Sequence, residues 1–154
     1  MEAVKHKRLE EPRPFAAVER VLGKRLKLHS PIDVHERIEE GFPRVLMIHL
    51  VDGLSFLKLD ESFRALNVSS RTWHRIKAEP GARLDKDQSS RVWNLAEVLA
   101  TAAEVLGSRE DAEHWLAAPA VGLNSRRPID LMATPQGAEL VKTLLDQMAH
   151  GVYA

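Results

Sequence analysis

Between Leu59 and Lys77 the sequence carries two short helical periods separated by a single break, and a chain with that pattern has few ways to fold. Leu59, Phe63 and Leu66 recur at spacings of four and three, which describes one face of a helix. Asn67 interrupts the pattern. Asparagine tolerates the left-handed conformation that often ends a helix, because its short side chain bonds locally to the backbone. Val68 is then the apolar residue for the inside of the corner. Ser69 is placed to cap the next helix by accepting a hydrogen bond from a free backbone N–H. Trp73 and Ile76, three apart, form the inner face of that second helix, and Ser70, Arg71, His74, Arg75 and Lys77 are left outside. A short helix, a tight corner and a second helix with a cationic outer face is a helix-turn-helix arrangement, whose second helix lies in the major groove of DNA.

Charge sharpens that reading. Ser69 to Ala78 holds three cations and no acid, in a chain whose formal net charge is +0. Neutralising phosphates needs cations gathered on one face, and this helix gathers them. The plainer alternative is a solvated helix face whose Arg and Lys stems cover apolar surface. Arg71 and Arg75 are the first candidates for base or phosphate contact, with Ser70, Thr72 and His74 behind them. Lys77, near the helix end, suits a phosphate.

The flanking segments read as further helices. Met1 to Pro14 is charged in both signs and broken by Pro12 and Pro14, which predicts a flexible arm. Phe15 to Leu28 places Val18, Val21, Leu22 and Leu26 at helical spacing. Ser30, Pro31 and Asp33 form a capping-box start for a helix that turns Ile32, Val34 or His35, and Ile38 inward and ends at Gly41. Phe42-Pro43 opens another, with Val45, Leu46, Ile48, His49 and Val51 mostly buried before Gly53. Leu54 to Leu59 is a connector without a clear cap. Glu79-Pro80-Gly81 is a strong loop signal, and Asp85 caps a long helix to Leu106 striped by Val92, Leu95, Ala96, Leu99, Ala103 and Leu106. Trp93 falls on its flank. Gly107 stops that helix, and Ser108 with Asp111 starts a short one ending near Leu116. A proline- and arginine-rich loop follows, then one helical turn near Ile129, then a last helix from Thr134-Pro135 to Gly151. No strand period of two survives, so the chain reads as all-α: a helical region over 15–107 with the helix-turn-helix at 60–77, and a small C-terminal helical domain over 108–154.

Other chemistry has little to stand on. The chain has 154 residues and 44% apolar composition, enough for one domain or two small ones sharing an interface. No apolar run approaches the roughly 20 residues that cross a bilayer, and the charged N-terminus lacks a signal-peptide core, which points to the cytoplasm. The absence of cysteine removes thiolate catalysis, disulfides and cysteine-type zinc sites. None of the seven histidines lies three or four residues from another on a helix, so no ready zinc pair exists. Neither a phosphate-cradling glycine loop nor a nucleophile elbow is present. The sequence predicts neither an enzyme nor a cofactor or metal site.

The segment beyond Leu116 asks for its own explanation, since a helix-turn-helix does not require it. Its plainest role is to complete the core or to form a homodimer interface, for which the Trp115 helix and the Trp93 flank are candidates. Paired arginines before a proline and near an acid form a fork suited to carboxylate or phosphate, or equally a clasp on Asp130 within the protein. The run Leu123-Asn124-Ser125-Arg126-Arg127-Pro128-Ile129-Asp130-Leu131, followed by Thr134-Pro135-Gln136-Gly137 and the ending Gly151-Val152-Tyr153-Ala154, resembles the toxin-binding domain of the Xre/MbcA/ParS antitoxins. The middle of the chain resembles the Xre-type helix-turn-helix that precedes that domain, so the likeness covers roughly Ser30 to Ala154. The connector before Leu59 is longer than is usual there, and the arm before Pro14 has no counterpart.

The resemblance implies a bacterial type II antitoxin, in a homodimer within a larger hetero-oligomer. Its partner would be a RES-domain toxin that depletes NAD. The antitoxin would cover the toxin's active site with its C-terminal domain and repress its own operon with the helix-turn-helix. Carried over position by position, Asn124, Arg126, Arg127 and Asp130, with the chain end at His150, Tyr153 and Ala154, are the expected toxin-binding residues. Two other readings remain open at this stage. One is a stand-alone dimeric repressor whose C-terminal half only dimerises, and the other is an interaction module that has lost DNA binding.

Overall fold

The computed structural model describes residues 13–151. The expected arm over 1–14 therefore lies almost wholly outside the described residues, as do Tyr153 and Ala154. Within them the chain is helical, with no strand and two isolated backbone bridges, Pro43–Arg83 and Ala120–Arg126. The helices are α1 (Ala16–Leu22), α2 (Pro31–Glu40), α3 (Arg44–Asp52), α4 (Leu59–Leu66), α5 (Ser70–Ala78), α6 (Lys86–Leu106), α7 (Arg109–Ala117), α8 (Pro128–Leu131) and α9 (Pro135–Ala149), with a 3-10 turn at Val121–Leu123.

The caps explain most of the boundaries. Asp33 accepts backbone N–H bonds from Ser30 at 3.1 Å and His29 at 2.8 Å. This pairing draws the Asp33 carboxyl below its usual pKa, the His29 bond being the largest cause. Asp85 and Gln88 form a reciprocal capping box at the start of α6. Ser108 and Thr134 each accept a bond from the N–H three residues on. The first turn of α3 has no side-chain cap. Its Arg44 and Val45 N–H groups donate instead to the carbonyls of Ala82 and Pro80 at 2.9 and 3.1 Å, which ties the loop after α5 to the start of α3.

The core is continuous from Val18 to Leu145, and α6 is its axis. Helices α1, α2, α3, α4, α7 and α9 all pack against it. Val92, Leu95, Ala96, Leu99 and Ala102 are fully enclosed. Buried Ser89 accepts the Phe42 N–H at 2.9 Å. Lys142 of α9 reaches across to Asn94 at 2.8 Å and Glu97 at 3.3 Å on α6.

Four expectations are corrected here. The helix expected over 15–28 ends at Leu22, where Gly23 turns left-handed. Leu26 is buried from non-helical backbone because its N–H donates to the enclosed Glu19 carboxylate at 2.7 Å. Ile32 and Val45 are exposed rather than inward, and the inner face of α3 is Leu46, Met47, Leu50 and Val51. Leu59 is 52% exposed, and α4 instead buries Ser62, Ala65 and Leu66 together with Glu61, because the C-terminal segment packs on that side through α8. Trp93 is no exposed flank. It is buried between Phe15 and Phe42, with ring centroids at 5.5 and 6.4 Å, and offers no face to a second copy.

Candidate functional site

Helices α4 and α5 meet at the corner that the sequence predicts. Asn67 is left-handed at φ 52°, and the Val68 N–H closes back onto the Phe63 carbonyl at 2.9 Å. Val68 is buried inside the bend. Ser69 caps α5, its Oγ accepting the Thr72 N–H at 3.1 Å while its hydroxyl lies 3.0 Å from Thr72 Oγ1. Trp73 and Ile76 are enclosed, and the Phe63 ring packs on Trp73 at 5.5 Å between centroids.

With the apolar side so fixed, α5 presents Ser70, Arg71, His74, Arg75 and Lys77 to solvent and half-buries Thr72. These are the six candidates for DNA, and all but half-buried Thr72 lie exposed on α5. Two are partly restrained. Arg75 reaches Thr72 Oγ1 at 3.4 Å, and Lys77 Nζ stands 5.7 Å from the Trp73 ring centre, a cation–π distance. Arg71 takes part in none of the side-chain bonds or ion pairs found among the described residues, which leaves its guanidinium available. One cation was not foreseen: Arg44 at the head of α3 donates to the Arg75 carbonyl at 3.3 Å, holding α5 near its C-terminal end. Nothing in the sequence pairs positions 31 residues apart.

The second cluster lies between α7 and α9. The chain leaves α7, makes the 3-10 turn, and reverses through Asn124 and Ser125, both left-handed at φ 54° and 61°. The Ala120–Arg126 bridge closes the reversal, with the Ala120 N–H donating to the Arg126 carbonyl at 3.0 Å and the Ser125 N–H to the Ala120 carbonyl at 2.9 Å. Pro128 opens α8, and Ile129 drops into the core. Asn124, Ser125 and Arg126 are left on the outside of the loop.

The paired arginines have separate fates. Arg126 is exposed and enters none of the ion pairs among the described residues. Arg127 is engaged on both sides. Its Nε and Nη2 bond the two Asp130 oxygens at 3.1 Å each, and its Nη1 bonds Glu61 Oε1 at 3.1 Å. The two carboxylates hold Arg127 firmly protonated, Asp130 more than Glu61, and Arg127 in return draws the Asp130 carboxyl below its usual pKa. Of the two roles that sequence left open for the fork, Arg127 fills the internal one. His150 is exposed at the end of α9, with Nδ1 2.8 Å from the Asp146 carbonyl. It stands on α9, an element apart from the loop.

Glu113 escaped the sequence reading entirely. Its buried carboxylate accepts the N–H groups of Ser55, Phe56 and Leu57 at 2.8, 3.1 and 3.4 Å, which is what orders the uncapped connector between α3 and α4. Phe56 is left half exposed, its ring 3.9 Å from that of His114. Among the described residues, no three His, Asp or Glu side chains gather as a metal site, and no helix is long and apolar enough to cross a membrane.

Comparison with known proteins matches both regions. Residues 33–97 match the family model of the antitoxin Xre-like helix-turn-helix domain, and residues 101–151 match that of the antitoxin Xre/MbcA/ParS C-terminal toxin-binding domain. The chain is 28% identical over 127 residues to antitoxin Xre of Pseudomonas putida, covering 81% of this chain and 76% of the relative. It is 30% identical over 95 residues to antitoxin Xre of Yersinia enterocolitica, covering 61% of this chain and 64% of that relative.

Proposed function

Because the chain belongs to the Xre/MbcA/ParS antitoxin family, we propose that the toxin it neutralises is a RES-domain protein that degrades NAD, and that it also represses its own operon. Its C-terminal domain covers the toxin's active site. Its α5 reads the operator through Arg71 and Arg75, with Ser70, Thr72 and His74 in support and Lys77 on phosphate. The protein acts as a homodimer within a larger complex with toxin.

The observation that carries this reading is the division of labour at the loop over 118–130. The backbone reversal and the Arg127 clasp fix the loop, while Asn124 and Arg126 remain exposed on it. A rigid loop tipped by an uncommitted guanidinium suits a carboxylate-bearing rim of the toxin's pocket, where a bidentate, charge-assisted pair can form. Arg126 is therefore the leading toxin contact, Asn124 its neighbour, and Arg127 with Asp130 the frame behind them.

The test is co-expression with the adjacent reading frame, followed by purification and measurement of cellular NAD. A stable complex with NAD preserved supports the proposal, and Arg126→Ala should then weaken the complex. A complex whose free toxin leaves NAD untouched would overturn the RES assignment, and an unchanged affinity for Arg126→Ala would remove that residue from the interface.

A further inference from the structure

Glu61 and Glu113 join the helix pair that faces DNA to the domain that faces the toxin, running in opposite directions, and Asp130 adds a looser link at 4.0 Å from Arg64 of α4. Glu61, in the first turn of α4, is 8% exposed and accepts Arg127 of the loop. Glu113 of α7, 2% exposed, accepts the three backbone N–H groups of the connector that feeds into α4. The approach to α4 and its first turn are thus both anchored in the C-terminal half. Lys58, at the N-cap position of α4, supplies no side-chain cap, so that turn draws its order from these anchors.

Of these two anchors, the Arg127–Glu61 bond is the one within reach of a partner. Glu113 holds backbone and is enclosed, whereas Arg127 is 29% exposed and next to Arg126 in the loop. Its guanidinium has one fork on Asp130 and one bond on Glu61, with no further carboxylate in reach. Drawing it away would leave Glu61 buried without its counter-charge, which is strongly unfavourable in a site that excludes water. The first turn of α4 would have to shift to hydrate that carboxylate, and α5 is packed on α4 through Phe63 and Trp73.

We propose that Arg127 is a positioning residue for DNA binding, acting through Glu61, and that it couples the toxin-facing loop to the operator-facing helices. The inference rests on the function proposed above and assigns its regulation. Toxin that engages the loop and loosens Arg127 from Glu61 lowers operator affinity. By linkage, operator DNA lowers toxin affinity by the same factor.

The experiment measures Kd of the full chain for a duplex of its own upstream region, with and without bound toxin, at several salt concentrations and well below the melting transition. The variants are Arg127→Ala, Glu61→Gln, their double variant, and Glu104→Gln at an exposed position of α6 as the control. Hydrogen exchange of the amides over 55–66 is followed alongside. Arg127→Ala should weaken duplex binding roughly 5- to 150-fold, the usual span of coupling between sites, while Glu61→Gln, which has no charge to strand, should bind within about a few-fold of the wild type. The salt slope should be unchanged because no phosphate contact is lost, and the double variant should bind better than Arg127→Ala alone. Exchange over 55–66 should quicken in Arg127→Ala. Toxin should weaken wild-type binding by a similar factor and leave Glu61→Gln unaffected, and Glu104→Gln should bind duplex as the wild type does. Glu61→Gln, nearly isosteric, keeps the test available should Arg127→Ala fold poorly.

Wild-type affinity in Arg127→Ala would overturn the proposal, as would a double variant no better than Arg127→Ala. So would a salt slope reduced by about one in Arg127→Ala, which would mark a direct phosphate contact. Failure of the wild-type chain to bind any duplex would instead count against the DNA-binding reading beneath it. Exchange would then decide the coupling, and unchanged exchange over 55–66 in Arg127→Ala would end it.

Discussion

At Gly137 the absence of a side chain lets the first turn of α9 lie against the end of α8. A Cβ there would stand 1.9 Å from the Leu131 carbonyl oxygen, a backbone atom that cannot step aside alone. The Gly137 N–H also bonds Thr134 Oγ1 at 3.0 Å. The Thr-Pro-x-Gly sequence is therefore a steric and capping requirement of this corner. Gly137→Ala should lower unfolding stability by about 3 kcal/mol, read by denaturant titration, and a loss under 0.5 kcal/mol would contradict the close approach. Asp130 gives a second test at this scale. Its carboxyl is held below the usual value, chiefly by the Arg127 hydrogen bonds, so it is deprotonated more readily in the folded chain than in the unfolded one. The stability it confers is complete above the unfolded value near 3.8 and is lost as pH falls through the lower folded value. Asp130→Asn should flatten the acid limb of the stability curve below about pH 4 and leave the slope near neutrality alone. These residues were visible in the sequence as a motif, but which arginine served the loop and which served the fold was not. Asp130, the stronger partner, is three residues on and within reach of local spacing, but Glu61 lies 66 residues away, and no local spacing reports a contact of that separation.

Among the elements, α5 was legible because its signals are local. The left-handed Asn67, the Ser69 cap and the Trp73–Ile76 face all act within one or two turns, and each stands where periodicity predicts. Trp73 closes the motif from beneath, so Trp73→Ala should cost about 3–5 kcal/mol, seen as a lowered melting temperature with DNA binding lost only as the motif melts. Substitutions on the outer face should behave in the opposite way. Lys77→Ala should leave stability nearly unchanged and reduce the salt slope of duplex binding by about one, whereas Arg71→Ala should relax sequence discrimination by about 1–3 kcal/mol if it grips a base in bidentate fashion. Equal losses on operator and random duplex for Arg71→Ala would reassign it to the backbone. Helix α4 was only half legible. Its register followed from Leu66, but Leu59 turned outward and Glu61 inward, since what covers α4 is a segment from the other end of the chain.

At the scale of the molecule, the two family matches meet near residues 97 and 101, both inside the unbroken helix α6. Two functions thus share one structural axis. The division at 107 read from the sequence marks a helix end, whereas the packing recognises no division there: α1, α2, α3 and α4 lie on α6 from the N-terminal side, α7 and α9 lie on it from the C-terminal side, and α8 packs on α4. Val141 and Leu145 of α9 and Leu116 of α7 are fully enclosed in the same continuous core as Leu46 and Leu66. A chain ended at Gly107 would leave that surface of α6 bare and release both Glu61 and Glu113 contacts. Apolar surface is worth about 25 cal/mol per Å², and a domain's margin of stability is only about 5–15 kcal/mol, so removing α7, α8 and α9 from the core should exhaust it. The full chain should accordingly unfold in one transition, with circular dichroism and tryptophan fluorescence coincident and the calorimetric and van't Hoff enthalpies equal. The shortened chain should show expanded, dye-binding character and no operator affinity, although it retains every residue of α5. A shortened chain that melts sharply and binds duplex as the full chain does would mean that the DNA-binding half stands alone, and the shared axis would then carry the toxin domain as a passenger.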